Sequence, residues 1–243
     1  MDVGLAGHPA AGLPAGRATR QGDGVLPALT FTGTLSRPAL RPAAELALEL
    51  AARPEVARRW DEESACAGMT VGALAAHLLL QAQRVVEVVG GSPGDPADAL
   101  SVDEHYAQVP WRREDLDGPS NVGVRDRSAA LADPGVDAVL ATGRACVDQL
   151  DTVLAAAPPA VLVPWQGTVL STDDFVVTRL LEILVHSEDL AASVDVPTPE
   201  FAPDALWPVV TLLTNLALRR HGQDALLRTL ARPQRAPGSV SAF

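Results

Sequence analysis

The chain of 243 residues is 47% apolar and 20% charged, and its formal net charge is −11. An acidic chain is a poor partner for nucleic acid or an anionic membrane, because the phosphate contribution to binding needs a basic surface. Only 4% of the residues are aromatic, so Ala, Leu and Val must fill the core, which favours helices packed on helices.

The sequence also lacks the signals of a membrane-bound or exported protein. No run reaches the ~18 apolar residues that a membrane span needs, and the N-terminal stretch has no apolar core of a signal peptide. The two cysteines, Cys66 and Cys146, lie far apart and outside any CxxC pattern, so reduced thiols are expected, with a disulfide as the alternative. These features predict a soluble, cytoplasmic protein.

The first part of the chain is predicted to contain a leader and two helical segments. Residues 1–32 are rich in Gly and Pro and are expected to be disordered, because they cannot bury enough apolar surface to offset the entropy of ordering. Residues 36–60 have a helical pattern that Pro54 kinks or divides. A second helix is expected to start after Thr70 as N-cap and to end at Gly90–Gly91.

The middle of the chain begins with a long connection. Residues 90–125 are rich in Gly, Pro and Asp, and a connection of this length is a crossover between distant bundle helices, or a functional or mobile segment. A third helix is predicted within residues 125–157, with a break at Asp133–Pro134.

The last part of the chain completes a helical bundle. Residues 161–171, "VLVPWQGTVLS", have two short apolar runs around a Gly and predict a small hairpin. A fourth helix starts near Ser171 or Thr172, and a fifth covers about 203–230. The predicted fold is mainly α-helical, with one long crossover and an extra C-terminal helix. Its expected parts are a disordered leader, a metal-binding helical bundle, and a C-terminal helix and tail packed on that bundle, at residues 1–32, 33–194 and 195–243.

A polar stripe interrupts the fourth helix, "TRLLEILVHSEDLAAS". Its ionisable residues are Arg179, Glu182, His186 and Asp189, at steps of three, four and three. On an α-helix these side chains fall within an arc of roughly 80°. A largely apolar helix with one ionisable face indicates that this face contacts something other than the core.

The stripe predicts a metal centre when it is combined with the second helix. Glu182 and His186 project together, and imidazole with carboxylate suits zinc or another divalent first-row metal. His77 is the only polar side chain between Thr70 and Gln81 and offers a third ligand. A buried carboxylate is costly alone but is stabilised by a cation. The alternatives are a hydrogen-bonded core histidine and an intrahelical ion pair.

Neighbouring residues are candidates for supporting roles. Asp189 can accept a hydrogen bond from the remaining ring N–H of His186, and Arg179 can neutralise a carboxylate or contact an anionic substrate. A structural salt bridge is the alternative for both. Gln81 and Arg84 follow His77 by four and seven residues, so they can line a cofactor pocket on the same face or point to solvent.

These segments carry a family resemblance. "MTVGALAAHL", followed about a hundred residues later by "RLLEILVHSEDLAAS", resembles the mycothiol-dependent maleylpyruvate isomerase family, a branch of the DinB-like metalloproteins. "RWDEESACAG", "EHYAQVPW" and "NVGVRDR" also resemble its connecting segments, so the resemblance covers about residues 36–243. It implies a DinB-like four-helix bundle with a divalent metal, usually zinc, on His77, Glu182 and His186. It also implies mycothiol as cofactor or co-substrate.

The resemblance also implies a reaction, but the C-terminal part of this chain differs from that of the isomerase. In the isomerase a metal-activated thiolate would add to a double bond, permit rotation and leave. That enzyme has a smaller C-terminal domain that helps complete its active site, whereas here residues 195–243 form about one helix and a tail. That domain's functional arginine matches no residue of this chain. Candidates for an anion contact, or for a solvated helix face, are Arg219, Arg220, Arg228, Arg232 and Arg235.

The sequence is therefore consistent with two alternative functions. The first is a metal- and mycothiol-dependent enzyme that acts on a small electrophilic substrate by thiol transfer or isomerisation, with a homodimer as a possible assembly. The second is a non-catalytic metal-binding bundle in a stress-related or ligand-binding role. A metalloprotease or serine hydrolase is disfavoured because the sequence has neither HExxH nor GxSxG. A zinc-binding anti-sigma factor is disfavoured because no cysteine neighbours His77 or His186 in the sequence.

Overall fold

The computed structural model describes residues 26–243, so the first 25 residues of the expected leader lie outside the described part. The helices before the hairpin are α1 (Leu40–Ala51), α2 (Pro54–Arg58), α3 (Val71–Val89), α4 (Val102–Gln108), α5 (Pro119–Ala132), α6 (Val136–Val147) and α7 (Leu150–Ala155). The strands are β1 (Ala99–Leu100), β2 (Ala160–Val163) and β3 (Thr168–Ser171), and two long helices follow, α8 (Thr172–Ser193) and α9 (Pro203–Ala231). None of the helices within 26–243 has the length and apolar character to span a membrane.

Helices α3 and α8 form the centre of the fold. Helix α3 packs against α8, α5 and α6, and α1 packs against α8 and α6. Leu74 and Val85 on α3 and Leu180 on α8 are completely buried, because both helices have apolar residues on most of their circumference. The predicted mainly helical bundle is confirmed, with its two central helices contributing the polar stripe and its expected partner.

Local capping signals explain where α3 and α8 start. The Thr70 side chain accepts a hydrogen bond from the Ala73 N–H at 3.1 Å, and α3 ends at Gly90 as predicted. Ser171 accepts from the Asp174 N–H at 3.0 Å and caps α8 in the same way. Each cap satisfies one N–H that a helix leaves unpaired in its first turn.

The predicted hairpin is present and leads directly into α8. Strands β2 and β3 pair antiparallel, with Ala160 opposite Ser171 and Val163 opposite Thr168. Gly167 in the turn has φ +66°, a backbone conformation that favours glycine. The two-residue strand β1 was not predicted; it pairs in parallel with β3, giving the order β1-β3-β2.

The long connection is more ordered in secondary structure than the sequence indicated. Within residues 90–125 the chain forms β1, α4 and the start of α5. Helix α5 starts at Pro119, because proline suits the first turn, where its missing N–H is not needed. The predicted break at Asp133–Pro134 is confirmed, and a further break separates α6 from α7.

The segment from residue 26 to residue 32, assigned above to the disordered leader, packs against the bundle. The Leu29 N–H donates to Asp103 Oδ1 at 2.6 Å, and the Phe31 N–H donates to Asp174 Oδ1 at 2.6 Å. The Thr30 hydroxyl also donates to Asp174, at 2.8 Å. Two buried carboxylates thus hold a segment whose composition alone indicates disorder.

The C-terminal helix also packs on the bundle. Helix α9 contacts α8 and α4, and Gly222, with φ +80°, interrupts its helical geometry. Beyond it the chain returns to α4, where the Phe243 ring lies 5.7 Å from that of Tyr106 and 5.0 Å from that of Trp111.

Replacing either of two helical glycines by alanine should change the unfolding free energy, but in opposite directions at the two positions. A Cβ added to Gly72 in α3 would lie 2.4 Å from the Trp60 ring, whereas one added to Gly123 in α5 has open space. We expect Gly72→Ala to lower the unfolding free energy by about 1–3 kcal/mol through overpacking. Gly123→Ala should raise it by up to about 1 kcal/mol, because alanine is the better helix former. Urea unfolding measures the change in unfolding free energy of both variants. Equal changes would contradict the close packing of α3 on Trp60.

Candidate metal centre

The packing of α3 against α8 brings the three predicted ligands together. His77 from α3 places Nε2 3.5 Å from Glu182 Oε2, and His186 places Nε2 3.2 Å from the same oxygen. The two imidazole rings are nearly perpendicular, with centroids 4.8 Å apart. Two helices that lie far apart in the sequence therefore present two nitrogens and one oxygen to one point.

The donor set fits a divalent cation. Around a tetrahedral ion with nitrogen and oxygen ligands at about 2.0–2.1 Å, neighbouring donor atoms are roughly 3.3 Å apart. The two nitrogen–oxygen separations, 3.2 and 3.5 Å, are close to this value. The side chains of His77, Glu182 and His186 are 14%, 20% and 21% exposed, so the donors are shielded but remain accessible to an external ligand. The assignment of these three residues as ligands stays a prediction.

Hydrogen bonds fix the orientation of both imidazoles. Asp189 Oδ2 lies 2.9 Å from His186 Nδ1, the role predicted for it. Ser128 Oγ lies 3.1 Å from His77 Nδ1 and donates its own proton to the Val124 carbonyl at 2.8 Å, so it accepts from the imidazole. Both rings thereby direct Nε2 toward Glu182. Fixing the tautomer in this way is how metal-binding histidines are held.

Burial and hydrogen bonds act in opposite directions on the three candidate ligands. Burial disfavours the Glu182 carboxylate, but its contact with His186 outweighs burial, and the pKa of Glu182 lies well below its ordinary value. Burial also disfavours a charged His186, yet contacts with Asp189 and Cys66 raise the pKa of His186 well above its ordinary value. Burial lowers the pKa of His77. A cation and a proton would therefore compete for His186.

Of the residues predicted to line a cofactor pocket, Gln81 and Arg179 contact each other, and Arg84 pairs with Glu87 at 3.2 Å. Gln81, only 2% exposed, donates to the His77 carbonyl at 2.9 Å and accepts from Arg179 at 2.7 Å. Arg179 thus bonds to an amide rather than to a carboxylate of the stripe. The guanidinium carbons of Arg84 and Arg179 lie 4.6 and 5.7 Å from the centroid of Trp165, which is 41% exposed.

The five arginines considered above as anion contacts lie on α9 or directly after it. Arg219 pairs with Asp103 at 2.8 Å, and Arg228 pairs with Asp224 at 3.2 Å, both structural salt bridges. Arg220 lines a cavity of about 330 Å³ between α4 and α9. Arg232 bonds to the neighbouring Ala231 carbonyl, and Arg235 lies in the short helical turn after α9.

Several residues near the centre were not predicted from the sequence. Cys66, in the loop before α3, lies close to the stripe: its Sγ and the donor atoms of His186 and Asp189 are all within 4.8 Å of one another. The large sequence separation of Cys66 from His186 concealed this contact, and no CxxC spacing marked it. Ser128 and Trp165 likewise carry no local motif, and only the packing of helices places them here.

Comparison with known families identifies the family of the chain. The chain matches the model of the mycothiol maleylpyruvate isomerase N-terminal domain over residues 40–191, more than half of its length. The matched range runs from the first residue of α1 almost to the end of α8 and includes all three candidate ligands. No curated protein and no solved structure matches the chain significantly. The resemblance predicted from the sequence is thus confirmed, and the chain belongs to the family of the mycothiol maleylpyruvate isomerase N-terminal domain.

Proposed function

We propose that this chain is a divalent-metal-dependent enzyme that uses mycothiol to transfer a thiol to a small electrophile, or to isomerise one. The observation that carries the proposal is the convergence of His77, Glu182 and His186 on one point with the separations of a metal-ligand set. Membership of a family whose description includes mycothiol and an isomerase supports the choice of thiol and reaction.

The chain's own residues would hold the cation through two imidazoles and a carboxylate, a set that accepts zinc and other divalent first-row metals. A bound cation of this kind supplies the Lewis acidity that turns a coordinated thiol into a thiolate at neutral pH. Asp189 and Ser128 would keep each imidazole in the tautomer that offers Nε2. Because the donors come from two packed helices, little reorganisation would accompany binding.

The residues around the centre suit a small polar reactant. Gln81 fixes the Arg179 guanidinium, while Arg84 and Arg179 lie against the half-exposed ring of Trp165. Arg179, one helical turn before Glu182, offers a cation beside the aromatic face of Trp165. Arg84 also pairs with Glu87 at 3.2 Å. In a transfer by substitution, a sulfur–carbon bond forms, the bond from that carbon to the leaving group breaks, and the thiol proton leaves with the displaced group; in a transfer by addition, the carbon–carbon π bond breaks and the proton goes to the neighbouring carbon. In an isomerisation the same bond forms and breaks, and the thiol is regenerated.

The competing function is a metal-binding bundle without catalysis. It is favoured by one observation: the Arg179 guanidinium donates to the Gln81 side chain, and Gln81 in turn donates to the backbone of α3, as structural groups do. In that case a metal would serve folding, because the binding free energy of an ion adds to the stability of the folded state.

Metal removal and replacement distinguishes the two functions. The protein is stripped with a chelator, reloaded with zinc, and assayed for mycothiol consumption with 1-chloro-2,4-dinitrobenzene and for isomerisation of maleylpyruvate. An enzyme should lose turnover on stripping and regain at least ~10-fold on reloading, because the cation generates the nucleophile. A reloaded protein with full metal content and raised melting temperature, but no turnover of either substrate, would support the non-catalytic function.

A further inference from the structure

The two ring nitrogens of His186 face two different groups of donor atoms. Nε2 lies 3.2 Å from Glu182 Oε2, within the group that includes His77. Nδ1 lies 2.9 Å from Asp189 Oδ2, and Asp189 and His186 form a second compact group with Cys66. In each group the three donor atoms lie within 4.8 Å of one another. The side chain of His186 is therefore common to two potential cation positions.

We propose that Cys66, Asp189 and His186 form a second cation position, which contains sulfur and takes a borderline or soft divalent ion such as zinc, cobalt or cadmium. We further propose that the two positions exclude each other because they share His186. The inference concerns cation binding alone and does not depend on the proposed enzyme activity.

The donor chemistry differs between the two positions. The group on Nε2 offers nitrogen and oxygen only, whereas the group on Nδ1 adds the Cys66 sulfur, which prefers softer ions. On binding, the cysteine sulfur forms a bond to the ion and releases its proton to solvent. Cys66 is partly exposed, so an ion can reach it, whereas Cys146 is buried.

The loop before α3 is tied to α8 next to this position. The Ala65 N–H donates to Ser193 Oγ at 2.9 Å, and Ser193 Oγ donates to the Asp189 carbonyl at 2.6 Å. Within the loop, the Cys66 N–H donates to Ser64 Oγ at 3.1 Å, and Ser64 Oγ returns a hydrogen bond to the Cys66 carbonyl. These bonds position the Cys66 backbone over the last turns of α8, where Asp189 lies.

The shared imidazole makes occupation of the positions exclusive. A neutral imidazole has one lone pair and one N–H. An ion on Nε2 leaves the proton on Nδ1, where Asp189 accepts it; an ion on Nδ1 leaves the proton on Nε2, where Glu182 accepts it. The chain should therefore bind one ion at a time, and loss of Glu182 or His77 should shift the ion toward Cys66.

Cobalt(II) added to the full chain tests the proposal, because a thiolate ligand gives a near-ultraviolet charge-transfer band that nitrogen and oxygen ligands lack. We expect Glu182→Gln and His77→Ala each to bind about one cobalt with this band. The band should vanish when Cys66→Ser is added to either variant and persist when Cys146→Ser is added instead. Circular dichroism establishes that the variants are folded. Because Glu182→Gln and His77→Ala, the two primary variants, are tested separately, misfolding of one leaves the other as a test.

Two outcomes would overturn the inference. Absence of the thiolate band in both folded primary variants at saturating cobalt would show that Cys66 is only a hydrogen-bonding neighbour of Asp189. Simultaneous binding of about two cobalt ions by the wild type, with the thiolate band present, would contradict exclusive occupation through one imidazole.

Discussion

Substitution of His186 by alanine is expected to abolish stoichiometric metal binding. His186 contributes Nε2 to the group with Glu182 and His77, and Nδ1 to the group with Cys66 and Asp189. Its removal therefore leaves two donors in either group, too few to compete with the hydration of a divalent ion. The loss of affinity should exceed the ~10–100-fold that follows removal of a residue that only orients a ligand. Elemental analysis of the purified protein should give about one metal per wild-type chain and almost none for His186→Ala.

His221→Ala is the matched control for this substitution. His221 lies on α9, and its Nε2 bonds to the Ser241 carbonyl at 2.7 Å, outside both donor groups. This variant should keep its metal while losing the same number of imidazole atoms. If His186→Ala retained about one equivalent after dialysis, the ion would have to be held elsewhere, and the assignment of α8 as the metal helix would be wrong.

Features with a local cause could be predicted from the sequence. Thr70 and Ser171 are followed at once by helical periodicity, and each forms the cap that such a position requires. The stripe on α8 could be predicted because steps of three and four residues define one helix face. His77 is the only polar residue between Thr70 and Gln81, and it indicated a ligand role only in combination with Glu182 and His186 on α8.

Features that depend on contacts between distant residues could not be predicted. Cys66 approaches Asp189 only because a loop is tied to the end of α8 through Ser193. Ser128 approaches His77 only because α5 packs on α3. No spacing rule relates such pairs, since the approach of two segments depends on the packing of the whole bundle. The order in residues 26–32 has the same origin.

The attachment of residues 26–32 gives the second large expected effect, on stability. Asp174 is 1% exposed and accepts hydrogen bonds from the Phe31 N–H and the Thr30 hydroxyl. Asp174→Ala removes a buried acceptor and leaves the Phe31 N–H without its partner. Hydrogen bonds to charged groups contribute about 1.5–3 kcal/mol each, so the unfolding free energy should fall by roughly 3 kcal/mol. Urea denaturation followed by far-ultraviolet circular dichroism measures the change.

Glu188→Ala, an exposed position on the same helix, is the control and should change the unfolding free energy by less than about 0.5 kcal/mol. The two substitutions should also differ in their effect on local unfolding around residues 30 and 31. Because Asp174 holds residues 30 and 31, amide hydrogen exchange at Phe31 should accelerate strongly in Asp174→Ala and remain unchanged in Glu188→Ala. Slow exchange at Phe31 in Asp174→Ala would mean that other contacts suffice to hold the segment, and that the buried carboxylate is not the reason why residues 26–32 join the fold.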